Sequence, residues 1–108
     1  MSFEFILDHL YPLPVRTKKM FGTEAIYVHE HMVLAVRDRS DKIEDNGIWI
    51  GTKKEHHLSL LQAFSSLRYL THIPLKKWLL LPSDADDFEE VALEICRLIR
   101  RGDERIGI

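Results

Sequence analysis

A chain of 108 residues with 45% hydrophobic and 30% charged residues has the composition of one ordinary globular domain. That excludes an intrinsically disordered segment, and no apolar run approaches the ~20 residues of a membrane-spanning helix. A formal net charge of −2 argues against a strongly charge-driven nucleic-acid binder, and the single cysteine, Cys96, excludes an internal disulfide or a cysteine-based zinc cluster. The opening residues MSFEFILDHL carry Glu4 and Asp8 where a secretion signal would be basic and then apolar, so a cytoplasmic location without membrane association is expected.

In chain order, the first element reads as a short helix. Ser2 stands at the N-cap position, and Phe3, Ile6, Leu7 and Leu10 form one apolar stripe that Pro12 and Pro14 terminate. From residue 15 the texture becomes β. Residues 16–21 read as a strand turned by Gly22, and residues 25–28 and 32–37 as a hairpin joined through His29-Glu30-His31. A polar loop over residues 37–46 leads to the strand Ile48-Trp49-Ile50. Thr52-Lys53-Lys54-Glu55 has the spacing of a capping box, followed by the apolar positions Leu60, Leu61, Phe64 and Leu67.

Residues 68–73 and 77–81 read as short strands around Pro74, the second ended by Pro82. The last element is a helix capped by Ser83 or Asp84. Acidic residues lie at its start (Asp86, Asp87, Glu89, Glu90), and Arg97, Arg100 and Arg101 lie near its end, the polarity a helix dipole favours. Gly102 supplies the left-handed terminator. The expected architecture is a single α+β domain over residues 1–108, with an antiparallel sheet of roughly four to six strands packed against the N-terminal and C-terminal helices. Its expected core holds Phe3, Ile6, Leu10, Phe21, Ile26, Leu34, Ile48, Ile50, Leu61, Phe64, Phe88, Val91, Ile95 and Ile99.

Chemistry-bearing motifs are sparse. His29 and His31 are spaced to share a strand face, whereas His56 and His57 point about a quarter turn apart on a helix; neither pair completes a metal motif. Cys96 falls beside the apolar stripe of the last helix and reads as a small buried hydrophobe. No serine sits in a nucleophile elbow, and the five glycines are scattered rather than gathered into a phosphate loop. The expectation is a non-enzyme with no metal or organic cofactor. Basic residues form four small groups: Arg16, Lys18 and Lys19; Lys53 and Lys54; Lys76 and Lys77; Arg97, Arg100 and Arg101. The first is the candidate interaction surface, and Tyr27, Trp49 or Trp78 could stack on bases if the surface met nucleic acid.

The run Lys18-Lys19-Met20-Phe21-Gly22, followed by Ala25-Ile26-Tyr27-Val28, a short turn and Met32-Val33-Leu34-Ala35-Val36, resembles the TfoX N-terminal domain family, which has the general fold of the YjbR-like proteins. The resemblance implies a divergent, stand-alone TfoX N-terminal-like domain. Full-length members are regulators of bacterial competence genes with a separate helical domain, for which these 108 residues leave no room. It implies a regulatory or adaptor role exercised through an unidentified protein partner, and it carries over no catalytic or cofactor residues. Independently of the resemblance, a small α+β domain without a polar catalytic constellation is expected to present a surface, and a homodimer through an exposed sheet face or edge is the expected form. The alternatives are a weak nucleic-acid-binding module using Arg16, Lys18 and Lys19, or a small enzyme whose site converges from distant positions.

Overall fold

The computed structural model describes residues 3–20, 22–72 and 77–108. Its elements are α1 (Glu4–Leu10), β1 (Val15–Met20), β2 (Thr23–Val28), β3 (His31–Arg37), β4 (Gly47–Gly51), α2 (His57–Ala63), β5 (Trp78–Pro82) and α3 (Phe88–Arg100). The five strands form one antiparallel meander in the order β1-β2-β3-β4-β5. Helices at both ends of the chain complete the expected α+β arrangement.

One sheet face carries Ile26, Val28, Leu34, Ile48, Ile50, Leu79 and Leu81, which pack with α1, α2 and α3 into the principal core. α3 contributes Phe88, Val91, Ala92, Ile95, Cys96, Leu98 and Ile99. Phe3 and Phe5 approach Phe88 with ring centroids 6.4 and 6.5 Å away, and the Arg100 guanidinium donates to the His9 carbonyl, joining the C-terminal ends of the two helices. The opposite face holds a second cluster, Ala35, Trp49, Trp78 and Leu80, with Met20, Met32, Leu70 and Ile108 packed against it. Trp49 and Trp78 meet edge to face at 5.9 Å, a geometry that contributes about 0.5–1.5 kcal/mol beyond area burial. Both faces of β4 and β5 are therefore covered. This is why these strands read as unbroken apolar runs rather than as alternating ones.

A bulge interrupts the β2–β3 ladder: Ile26 pairs with Leu34 but Tyr27 pairs with Met32, leaving Val33 extra. Consecutive residues Val33 and Leu34 consequently both enter the principal core. Between β3 and β4, the buried Arg37 binds Asn46 Oδ1 at 2.8 Å and the Lys42 carbonyl at 3.0 Å, and Asn46 reciprocates with the backbone of Arg39. Gly47 then passes so close to β5 that a Cβ there would lie 2.1 Å from the Leu81 carbonyl oxygen, and its φ of +139° also requires glycine. α3 ends in a Schellman motif in which the Gly102 amide donates to the Ile99 carbonyl and the Asp103 amide to that of Leu98, with Gly102 at φ +74°, as its position suggested.

Several local expectations are corrected. Phe3 occupies the cap position of α1 without a side-chain bond; Ser2 lies outside the described residues, as does Phe21. Thr52 does not begin a capping box: it is fully buried at the end of β4, its amide donates to the Lys77 carbonyl, and a 3₁₀ turn, Lys54–His56, precedes α2. Sheet pairing has claimed the threonine that the spacing assigned to a helix. Asp87, not Ser83 or Asp84, precedes α3, and its carboxylate accepts from the Ser66 hydroxyl instead of capping. β5 begins at Trp78 and includes Pro82, tolerated at a strand terminus. Of the strand expected over residues 68–73, only an antiparallel bridge between Arg68 and Leu80 forms among the described residues. Phe3 is half-buried at the start of α1, and Leu61 and Phe64 are half-buried because α2 turns His57 and Leu60 to the core instead.

The segment after Arg68 is fastened by Asp45 rather than by a ladder. The fully buried carboxylate accepts the Thr71 amide at 2.6 Å and the His72 amide at 2.7 Å, while the Asp45 carbonyl accepts Trp49 Nε1 at 2.9 Å. One residue thus ties the loop before β4, the tryptophan layer and residues 71–72 together. Asp45→Ala is expected to lower the unfolding free energy by about 1–3 kcal/mol in urea titrations, because two amides lose a charged acceptor, with Asp45→Asn between it and the parent.

Candidate functional site

β1 is the sheet edge nearest the N-terminus, and among the described residues no strand pairs with its outer side. Its sequence, VRTKKM, buries little: Arg16, Thr17, Lys18 and Lys19 are all exposed. Repeated cations suit an edge strand, since they oppose uncontrolled pairing with other sheets. The register sets Arg16 opposite Tyr27, Lys18 opposite Ala25 and Lys19 opposite Glu24. Arg16 and Lys18 therefore lie on one face and Lys19 on the other, so the three share an edge but not a face. The Arg16 guanidinium stands 5.2 Å from the Tyr27 ring centroid, a cation–π contact that positions the head group of an otherwise exposed residue. Among the described residues no ion pair involves Arg16, Lys18 or Lys19.

The other basic groups differ. Arg97 binds Glu94 at 2.8 Å, while Arg101 stands 3.5 Å from Asp103, a carboxylate that Arg105 already engages. Lys53, Lys54 and Lys77 are exposed at separate turns, and Lys76 lies outside the described residues. The far sheet edge is not equivalent to β1 either. β5 is buried throughout and exchanges two hydrogen bonds, of 3.0 and 2.7 Å, with Arg68 along its outer side.

The histidines separate into two kinds. His57 is buried, with Nε2 3.0 Å from the Thr52 carbonyl oxygen and Nδ1 3.1 Å from the Tyr69 hydroxyl. A carbonyl can only accept, so Nε2 carries a proton and donates; in the neutral ring Nδ1 accepts from Tyr69. That is a satisfied structural histidine. His29 occupies the β2–β3 turn at φ 56° and His31 opens β3, so they do not share a strand face as their spacing suggested; with His56 they line a cleft instead. Sequence reasoning missed this convergence because the three come from separate elements, and no short motif spans them. Among the described residues no three His, Cys, Asp or Glu side chains form a group able to hold a metal ion, and no described helix is long and apolar enough to cross a membrane.

Cys96 lies on the buried face of α3, where burial pushes its thiol up to about 11 against the opposing influence of Arg100. Ser66 donates to Asp87, and the Ser59 hydroxyl accepts Arg105 Nη1 at 2.9 Å. Asp103 is the most strongly perturbed carboxylate. Hydrogen bonds from Arg105, at 2.9 Å to each oxygen, hold it far below the usual carboxylate range against a smaller opposing effect of burial, with Arg101 assisting. No family model, curated protein or solved structure matches the chain.

Two outcomes follow from these environments. Cys96 should resist alkylation at pH 8 in the folded protein and react once denaturant unfolds it, as followed by mass spectrometry. Because Asp103 is depressed on folding, its contribution to stability is present above the ordinary aspartate value near 3.8 and is lost as pH falls through the lower folded value. Thermal melts of the parent and Asp103→Asn should therefore differ most near neutrality and converge in strong acid.

Proposed function

We propose that the chain is a regulatory or adaptor-type protein-contact module whose recognition element is β1, and that it takes an extended acidic segment of a partner protein along that edge. The asymmetry of the two sheet edges carries this reading: the β5 edge meets Arg68, whereas β1 exposes four consecutive residues, three of them cationic and outside any ion pair among the described residues. An antiparallel edge strand directs alternate amide and carbonyl groups away from its neighbour, so an added strand gains main-chain hydrogen bonds while its side chains meet those of β1. Acidic residues are the complementary choice. The likeness of residues 16–36 to the TfoX N-terminal domain supports an adaptor role.

A second copy is a poorer occupant of the same edge. Two-fold pairing of β1 with itself would set Arg16, Lys18 and Lys19 against like charges. Nucleic acid would use the cations but not the backbone edge, and the pairing of Arg97 with Glu94 reduces the basic surface α3 offers to phosphates.

The test is titration with a peptide alternating glutamate and valine, alongside mixed DNA and RNA, with light scattering for self-association. Saturable peptide binding should weaken at least about tenfold in the variant Arg16→Glu, Lys18→Glu, Lys19→Glu, and in a peptide N-methylated at alternate residues, which cannot form the ladder. Equal binding by the N-methylated peptide would refute the strand-addition geometry. Submicromolar, salt-sensitive nucleic-acid binding lost in the triple variant would transfer the edge to nucleic acid, and a dimer abolished by the same variant would transfer it to a second copy.

A further inference from the structure

We infer that the cleft between the β2–β3 turn, the 3₁₀ turn before α2 and the C-terminal end of α3 binds a small organic anion, a carboxylate or phosphate carried on an apolar body. This inference is independent of the role proposed for β1. The cleft has a volume of about 790 Å³, within the usual range of small-molecule sites. Its floor is apolar: Val28, Val33, Ile99 and Ile106, each less than a tenth exposed. The β-bulge that adds Val33 to the core-facing side of β3 helps to build this floor, and the C-terminal tail closes one side through the Gly107 amide, which donates to the Gly51 carbonyl at 2.7 Å.

The rim supplies the charge. His29 and His31 come from the hairpin, Lys53 and His56 from the approach to α2, and Arg100 and Arg101 from the end of α3. The acidic groups facing them are Glu55, Glu104 and Asp103, and Asp103 is already engaged by Arg105. With that pair taken as neutral, Lys53, Arg100 and Arg101 outnumber Glu55 and Glu104, and protonation of any rim imidazole adds to the positive side. His29 also holds a left-handed backbone conformation, φ 56°, that glycine would adopt at less cost, so the turn presents an imidazole where a hydrogen would fold more easily. An apolar floor under a cationic, histidine-rich rim recognises an anion with an apolar body better than it recognises either part alone. Acidification that protonates the rim imidazoles therefore strengthens capture.

The experiment follows backbone amide shifts of the full chain during titration with phenyl phosphate, benzoate, inorganic phosphate and benzyl alcohol, near pH 6 and near pH 8. Phenyl phosphate or benzoate, whichever anion the rim prefers, should saturate with shifts at residues 28–33, 53–56 and 99–107. It should bind tighter than both inorganic phosphate and benzyl alcohol, and benzoate, whose own charge is the same at both pH values, should bind several-fold tighter at the lower one. The variant His29→Gln, His31→Gln, His56→Gln should lose the pH difference, and Arg100→Gln, Arg101→Gln should weaken binding about tenfold at both pH values. If the arginine variant fails to fold, the comparison of the four probes on the parent protein still decides the matter. Benzyl alcohol binding as tightly as the anions, a pH difference that survives in the histidine variant, or no saturable shift up to about 10 mM at either pH would overturn the inference.

Discussion

Every residue from Gly47 to Gly51 is buried, so β4 must be covered on both faces, and much of the molecule is arranged to provide that cover. Three helices supply one face in the ordinary way. On the other face Leu70, Met32, Met20 and Ile108, none of them in a helix, pack around Trp49, Trp78, Ala35 and Leu80. Irregular backbone over a sheet face leaves polar groups that need partners. The Asp45 carboxylate meets two of these amides, the Asp45 carbonyl takes the Trp49 indole, and Ile108 exchanges paired hydrogen bonds with Met32. The buried polar residues are thus part of what makes the two-sided sheet possible.

The same constraint distributes exposure. Cover concentrates over β4 and β5 and thins toward β1, where the sheet ends in a hydrophilic strand. That gradient separates a heavily packed half from an accessible edge, and an edge in contact with solvent needs charge to remain unpaired. The cations of β1 satisfy this need and also create a surface complementary to an acidic strand. The recognition proposed for this edge therefore rests on the same residues that keep it unpaired.

The hairpin turn, the end of α3 and the tail come together because α3 closes with Gly102. The left-handed conformation there redirects the chain, and the paired Asp103 and Arg105 hold the reversal while Ile106 returns to the core. Polar side chains from these elements are left around an apolar floor. Their convergence follows from chain reversals at three places.

Periodicity and punctuation made much of the fold legible: the stripe of α3, the hairpin about residues 29–30, the glycine stop at Gly102 and the α+β order all depend on neighbours within a few residues. The basic run at residues 16–19 was legible as part of a strand and as a candidate surface, but its place at the sheet edge was decided by the strand order. Thr52, Asp45 and the cleft were not. Thr52 carries a helix-start spacing, yet its amide is claimed by Lys77, 25 positions away; Asp45 sits in what reads as a solvated turn but holds backbone 26 and 27 positions along the chain. On the cleft rim, β3 and β4 separate His56 from the neighbouring His29 and His31, and the three meet Arg100 and Arg101 only after α3 has packed across the sheet. Local residue order determined which segments became helix, strand or turn, because capping, side-chain period and backbone freedom act over one or two turns of chain. Only the tertiary structure decided which polar groups became buried partners and which charges came to share an edge or a cleft, because those choices depend on burial and on distances between segments far apart in sequence.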